Sequence, residues 1–432
     1  MDNYSPGREG PTSQGLRLPQ ILSATLDGLR TSLTRQVPAG ALREYWLWGL
    51  DPATPQHAEF VQAIGARQLC RLTETLLDGL VTDDDWPTLT PLTTTMNVYQ
   101  LFEIVSDNLA IGGQRASTVL RPFNTAMAKA LRYGGAVMPP AELLAPIRPA
   151  TRWVSGFTHS LAGAVHHRLA TAYTRGGPVA DVEYGLWPAL VGNMTAAVDV
   201  AAHLSSLAIG PTLRHGLVNR YLAVNRTLDG HHLPLFELAA VGAQAILVLP
   251  TLSFYLGALA EILHPDPAFA GCVADGTLPD LLNDAALLVR LLNDIGTGLL
   301  TGPQAVRQEL WERLRTLAIE HSTMDDLVCD PRLPPTVLTR LRKDIRHGEF
   351  NVALHAARLP QPVTQAVQRL ASGVDYFAAL YALHSARMTA SLAGLRERLT
   401  DTRPLALVER FVRFHEQLYA RPYTDTDGEY AI

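Results

Sequence analysis

The sequence predicts an all-α protein with one domain of ten or more helices. Apolar residues make up 47% of the 432 residues and charged residues 18%, which is typical of a globular chain with a large core. Apolar residues recur at helical spacing through most of the chain, and the alternation of a half-buried strand is hard to find. Prolines stand mainly between the periodic stretches, where helices are expected to end.

Each predicted helix is a stretch with apolar residues at helical spacing, and alanine and leucine are abundant throughout. In chain order the predicted helices are residues 55–80, 96–112, 115–132, 157–173, 182–208, 213–228, 234–262, 279–300, 303–320, 335–347, 363–398 and 404–418. The acidic run Asp83–Asp85, followed by Trp86 and Pro87, is typical of a loop or of a helix N-terminus, where carboxylates favour the helix dipole. No repeat or low-complexity linker divides these elements, so one helical domain over residues 19–420 is expected.

The two ends of the chain differ from this domain. Residues 1–18 are rich in Gly, Pro and Ser and are expected to be a disordered tail, and residues 421–432 a flexible one. No signal peptide is visible, and three scattered cysteines without a CxxC pair fit a reducing cytosol. The expected location is therefore cytoplasmic.

Charge and hydropathy argue against two classes of partner. The net charge of −5 is spread along the chain without a basic block, which argues against nucleic acid. Residues 239–260 form the most apolar stretch and are long enough to span a bilayer. They contain Pro250 and hydroxyl groups and lack basic flanks, so a helix buried in the core is predicted instead.

Two polar motifs interrupt the apolar pattern. In LVRLLNDIGTGLLTG (residues 288–302), Asn293, Thr297 and Thr301 are four residues apart, which places their oxygens on one face of a continuous helix, where they suit Mg²⁺. The alternative is a helix C-terminus, with glycines as breakers and Asn293 as a capping group. In the second motif, Arg226 offers a fork of donors for phosphate, Asp229 can orient it, and Gly230 lets the backbone kink.

These motifs resemble those of the bacterial class I terpene synthases. Arg226, Asp229 and Gly230 resemble the phosphate sensor, linker and effector of that family. Residues 288–302 resemble its second metal motif, with Asn293 and Thr297 at the first two ligand positions. Asp294 stands at the usual neighbouring position, and Thr301 replaces an acidic third ligand.

Two further stretches match the family's motifs in part. On the helix over residues 99–111, Asp107 and Asn108 stand where the family has its leading acidic pair, and the downstream Asp is absent. Glu103, one turn before Asp107, is the substitute that the resemblance suggests; the alternative is a pair of partly exposed helix charges. Near the C-terminus, Tyr381 takes the place of a Trp and Arg387 matches an Arg that grips diphosphate. That match would also bring His384 near the cavity.

The resemblance implies an α-helical bundle that ionises a prenyl diphosphate and cyclises the carbocation. About three Mg²⁺ ions would stabilise the leaving diphosphate, held by Glu103, Asp107, Asn108, Asn293, Asp294, Thr297 and Thr301. Arg226 and Arg387 would grip the diphosphate. The aromatic side chains expected to line the pocket, unless they are plain core, are Tyr99, Phe102, Trp187, Phe377 and Tyr381.

The length of the chain and its divergent metal motifs favour a C20 substrate, such as geranylgeranyl or a copalyl-type diphosphate. The resemblance also allows a homodimer. Because acidic ligands are replaced, a second hypothesis is a helical protein of this type that binds an isoprenoid or a partner protein without turnover. A third is an unrelated helical scaffold.

Overall fold

The regular secondary structure of the described residues is entirely helical. The computed structural model describes residues 17–37, 39–112, 117–134, 168–177, 189–228, 233–334, 336–346 and 349–421. Within these ranges every regular element is a helix and none is a strand, so the all-α prediction is confirmed there.

The N-terminal helices begin earlier than the sequence predicts. They are α1 (Leu18–Gln36), α2 (Ala41–Leu50), α3 (His57–Ala63), α4 (Ala66–Leu77), α5 (Trp86–Gly112) and α6 (Ser117–Tyr133). The first two were missed, and the predicted helix 55–80 is two helices because Gly65 adopts a φ of +74° between them. A 3₁₀ turn over Asp83–Asp85 leads into α5, and the backbone N–H of Thr82 donates to the Asp85 carboxylate at 2.7 Å. Of the two alternatives, a loop or a helix N-terminus, the structure has the helix N-terminus.

The middle of the chain forms shorter helices. They are α7 (Ala189–His203), α8 (Gly210–Thr227), α9 (Leu235–Gln244), α10 (Val248–Gly257), which continues as a π-helical stretch over Ala258–Leu263, and α11 (Pro267–Ala274). The single helix predicted over 234–262 is therefore broken between Gln244 and Val248. The predicted burial is confirmed for residues 250–260, all of which are buried.

No single helix in the described ranges has the length and apolarity needed to cross a membrane. Leu235–Gln244 and Val248–Leu263 meet that requirement only when taken together, and they bend by 45° at their junction.

The C-terminal part contains the longest helix of the described residues, Val363–Arg398. Its helices are α12 (Thr277–Ile295), α13 (Thr297–Thr301), α14 (Gln304–Leu317), α15 (Met324–Val328), α16 (Thr339–Arg346), α17 (Leu354–Ala357), α18 (Val363–Arg398) and α19 (Arg403–Ala420). A 3₁₀ turn follows α14 at Ala318–Glu320. The bounds of α18 are those predicted from the sequence.

Helix α12 lies at the centre of this half of the molecule. It packs against α9, α10, α18 and α19, and its leucines are almost completely buried. Burying each leucine contributes about 1.5–3 kcal/mol, so the position of α12 is strongly determined. Three charged residues are buried on it as well: Asp284, Arg290 and Asp294.

Helices α8 and α10 approach closely at Gly216. A Cβ atom at this position would lie 2.3 Å from Cδ2 of Leu249. Only glycine allows this approach without a shift of the Leu249 side chain. Both residues line the cavity described next.

Candidate functional site

A cavity of about 810 Å³ lies among helices α8, α9, α10, α12 and α18. Its volume falls within the range of about 300–1,000 Å³ that is common for small-molecule sites. Much of its wall is apolar, from side chains such as Phe236, Ala243, Leu249, Leu287 and Leu380. Phe236 and Tyr376, which both line the cavity, are exposed to solvent. The walls suit a ligand with a large apolar body.

One side of the cavity is polar because two facing helices place charged residues on it. On α12, Asp280, Asn283 and Asp284 share a face at spacings of three and four residues. On α18, His384 and Arg387 are three residues apart and also line the cavity. On this wall an acidic side chain of α12 contacts two basic side chains of α18.

Asp284 joins the two helices. Its side chain is only 4% exposed, and its Oδ1 atom lies 2.6 Å from Nδ1 of His384. Its Oδ2 atom lies 3.5 Å from Nε of Arg387. A buried carboxylate is costly without such partners, so Asp284 is held by two groups from α18. The Arg387 side chain remains 52% exposed and accessible to a ligand.

The predicted phosphate sensor lies away from this cavity. Arg226 is near the C-terminal end of α8, seven residues beyond Asn219, which lines the cavity. Seven residues of helix correspond to about 10 Å. The Arg226 guanidinium pairs with Glu237 Oε1 at 2.5 Å across the α8–α9 connection and is half exposed. Asp229 and Gly230 lie outside the described residues.

The prediction that Asn293, Thr297 and Thr301 share one face of a continuous helix is wrong. Helix α12 ends at Ile295, Gly296 adopts a φ of +90°, and α13 begins at Thr297. Asn293 and Thr297 therefore lie on different helices, because glycine at a positive φ ends a helix readily. The alternative reading, a helix C-terminus at these glycines, is confirmed for Gly296.

The oxygens of this motif already make contacts within the protein. Oδ1 of Asn293 accepts a hydrogen bond from Arg340, and its backbone oxygen accepts one from Arg340 Nε at 2.7 Å. The Thr297 hydroxyl donates to the backbone oxygen of Glu416 at 2.7 Å. The Thr301 hydroxyl donates to the Thr297 backbone oxygen at 2.8 Å.

Asp294 is completely buried. Arg290 donates to its Oδ2 atom from Nη2 at 2.8 Å and Nε at 3.0 Å, and the Val352 backbone N–H donates to the same oxygen at 2.7 Å. Burial raises the pKa of Asp294 to about 6; Arg290 opposes that shift and Asp344 adds to it. Asp294 ties α12 to the segment before α17.

Glu103 is also buried rather than partly exposed, at 4% of its side chain. It pairs with Arg220 Nη2 at 2.5 Å and accepts a hydrogen bond from the Tyr221 hydroxyl. That hydroxyl lies 2.9 Å from the hydroxyl of Tyr99. Burial, followed by the Glu103 charge, raises the pKa of both tyrosines well above the usual value. The side chains of Asp107 and Asn108 lie outside the described residues.

The predicted aromatic lining is core in the described part of the chain. Tyr99, Phe102, Phe377 and Tyr381 are at most 5% exposed, and none of them is among the cavity-lining residues. The Tyr381 hydroxyl donates to Glu416 Oε1 at 2.6 Å. Trp187 lies outside the described residues. Among the predicted site residues that are described, Arg387 alone lines the cavity.

The described members of the predicted magnesium set make contacts within the protein. Asn293, Asp294 and Glu103 each accept hydrogen bonds from arginine or tyrosine donors, and Thr297 and Thr301 donate to backbone oxygens. Within the described ranges no three or more His, Cys, Asp or Glu side chains are grouped to hold a metal. Magnesium therefore stays a prediction of the resemblance.

No family model, no curated protein and no solved structure matches the chain. The resemblance to class I terpene synthases consequently stands on the motifs alone. Asp280 and Asp284, which sequence reasoning missed, carry one weak signal: their four-residue spacing within an apolar helix places both on one face.

Proposed function

We propose that the protein binds a prenyl diphosphate in the cavity and converts it to a cyclic terpene. The observation that carries this proposal is the half-exposed Arg387 at the polar side of an otherwise largely apolar cavity of about 810 Å³. The apolar wall suits an isoprenoid chain, and a guanidinium suits a diphosphate because its planar donors match phosphate oxygens. The C20 diphosphates named above are the substrate class that the sequence favours.

The residues of the cavity can support such a reaction in two ways. As the allylic C–O bond breaks, its electron pair leaves with the diphosphate, and Arg387 stabilises the negative charge that becomes localised there. The leucine side chains of the wall offer no nucleophile to the carbocation, and the ring of Tyr376 offers a π-face to positive charge. The described residues predicted to bind Mg²⁺ make other contacts within the protein.

Those contacts favour a second candidate function, the binding of an isoprenoid diphosphate without turnover. Asn293 and Asp294 hold Arg340 and Arg290 rather than standing open to a metal ion. A protein that had lost catalysis could keep the cavity and Arg387. The two candidates share a ligand and differ only in whether the C–O bond breaks.

One experiment separates the candidates. The protein is incubated with geranyl, farnesyl, geranylgeranyl and copalyl diphosphates, with and without Mg²⁺, and products are read by gas chromatography–mass spectrometry. Binding of each diphosphate is measured by calorimetry. A cyclic product supports the cyclase, binding without product supports the second candidate, and the absence of both overturns the two.

Arg387→Ala tests the anchoring residue. We expect affinity or turnover to fall roughly ten- to hundredfold, the loss that follows removal of one charged hydrogen-bonding group. Arg369→Ala is the matched control, because Arg369 is exposed on the same helix and is not among the cavity-lining residues. Equal effects of the two substitutions would contradict the assignment.

A further inference from the structure

The contact between His384 and Asp284 fixes which ring nitrogen of the histidine carries a proton. Nδ1 lies 2.6 Å from Oδ1 of Asp284, and Arg387 lies 3.5 Å from the other carboxylate oxygen. A carboxylate oxygen accepts hydrogen bonds, so the ring donates from Nδ1–H, which is then the proton-bearing nitrogen when the imidazole is neutral. Nε2 then carries the lone pair, and no donor among the described residues forms a hydrogen bond with this nitrogen.

The position of this pair separates it from the other histidine–carboxylate pairs of the described chain. His321 contacts Asp330 at 2.7 Å, and His264 contacts Asp85 at 3.2 Å. Neither of those pairs lines the cavity, whereas both His384 and Asp284 do. A histidine–carboxylate pair that only stabilises the fold can lie anywhere in the protein. A histidine that exchanges a proton with a ligand must be accessible from a cavity.

We propose that His384 is the base that ends the reaction by removing a proton from the carbocation in the cavity. This inference rests on the proposed cyclase function. A C–H bond next to the cationic carbon breaks, and its electron pair becomes the π-bond of the product olefin. The proton moves to Nε2 of His384, which becomes an imidazolium and later releases the proton to water.

Asp284 is a positioning residue for this step. Its hydrogen bond holds the imidazole with Nε2 as the free nitrogen, and its negative charge stabilises the imidazolium that forms. Because Asp284 is buried on the central helix α12, it cannot turn away easily. The ring of His384 is therefore oriented before the substrate arrives.

The second histidine of the cavity lacks this arrangement. His215 also lines the cavity but is exposed on α8. Among the described residues no carboxylate or other hydrogen-bond partner holds it. Without an orienting partner its ring can rotate, so His215 is the weaker candidate for a base.

His384→Asn tests the base, because the asparagine amide keeps an N–H donor for Asp284 and offers no basic nitrogen. In this variant we expect diphosphate release to stay within about threefold of the wild type. We expect the yield of olefin to fall by about a hundredfold or more, the usual contribution of a general base, with alcohols formed by water capture taking its place. His321→Asn, at a histidine–carboxylate pair outside the cavity, should leave the product ratio unchanged.

Three turnover results would overturn the base assignment. The first is an unchanged olefin share in His384→Asn. The second is an equal loss of diphosphate release and olefin, which indicates a structural role. The third is a wild-type product that is solely an alcohol. A wild type that releases no diphosphate from any of the four substrates would instead reject the cyclase function, and the base role with it.

The tautomer of His384 gives a readout that needs no turnover. Nitrogen-15 NMR of the imidazole should show Nδ1–H as the neutral form in the wild type and a loss of that preference in Asp284→Asn. An Nε2–H tautomer in the wild type would overturn the inference whatever the enzyme makes.

Discussion

Buried charged residues in this protein fall into two groups according to what they face. Glu103 with Arg220, and Asp294 with Arg290, satisfy one another inside the core. Asp284 is equally buried, but its partners His384 and Arg387 reach the cavity. A buried pair is weak evidence of function by itself, because its main effect is to avoid an uncompensated charge. Asp284 differs from Glu103 and Asp294 only in that it and its partners line the cavity.

The buried Asp294 predicts a pH dependence of stability. Its pKa is raised to about 6 in the folded protein, against about 3.9 for an unfolded chain. Between these values the folded state binds more protons, so the free energy of unfolding falls as pH rises, by roughly 3 kcal/mol in total. We expect urea unfolding at pH 4.5 and 7 to show this contribution as a difference between the wild type and a variant that lacks the Asp294 carboxyl group.

Asp294→Asn supplies this comparison. Asparagine cannot titrate, yet its side-chain oxygen can still accept from Arg290 and from the Val352 N–H. The stability of the wild type relative to this variant should therefore fall between pH 4.5 and 7. A constant difference would mean that Asp294 is ionised throughout the range.

At the scale of the helix, periodicity predicted some elements well and missed others for local reasons. Helix α18 has the predicted bounds because its apolar pattern runs without interruption from Val363 to Arg398. Helix α12 ends five residues earlier than the predicted residue 300, because Gly296 takes a positive φ that the apolar pattern does not reveal. Helices α1 and α2 were missed, although buried residues recur along α1 at helical spacing.

The candidate site was less predictable than the helices. Arg387 was reached through a motif resemblance, whereas Asp284 was not identified at all. Its partner His384 is 100 residues away in the sequence, so the pair exists only because α12 packs against α18. Local patterns carry no information about such a contact. For the same reason the sequence could not reveal that Arg340 contacts Asn293. The pairing of Arg290 with Asp294 is different, because residues four apart on one helix are neighbours and their contact could have been predicted.

The tight packing of α10 leads to a prediction at this scale. A Cβ atom at Gly257 would lie 2.7 Å from Cγ2 of Ile209 and 2.9 Å from Cδ1 of Leu204. Ile209 is fully buried and branched at Cβ, so it cannot move aside easily. We expect Gly257→Ala to destabilise the fold by about 1–3 kcal/mol in urea unfolding.

Gly271→Ala is the control for overpacking. Gly271 lies in α11, and nothing is within 4 Å of a Cβ placed there. Alanine should therefore stabilise this helix by about 0.5–1 kcal/mol. If both substitutions changed stability in the same direction, the close approach of α10 to Ile209 would be in doubt.

At the scale of the whole molecule, the cavity depends on five helices from distant parts of the chain. Its walls come from residues 211–250 and 279–387, which are brought together around α12. The cavity is therefore a property of the assembled fold, and a ligand that fills it should stabilise the folded state as a whole. Binding to the folded state alone contributes about 2.7 kcal/mol at a ligand concentration of 100 Kd.

Because ligand binding stabilises the folded state, the contributions of the apolar body and of the charged head of the ligand can be measured separately. An unreactive geranylgeranyl S-thiolodiphosphate should raise the unfolding midpoint more than inorganic diphosphate does, because only the former buries apolar surface in the cavity. Ala243→Trp, which places a large side chain on the α9 wall, should remove the extra stabilisation and leave the effect of inorganic diphosphate. Arg387→Ala should reduce both effects. Equal stabilisation by the two ligands would mean that the prenyl chain lies outside the cavity, and the five-helix site would then bind only the diphosphate.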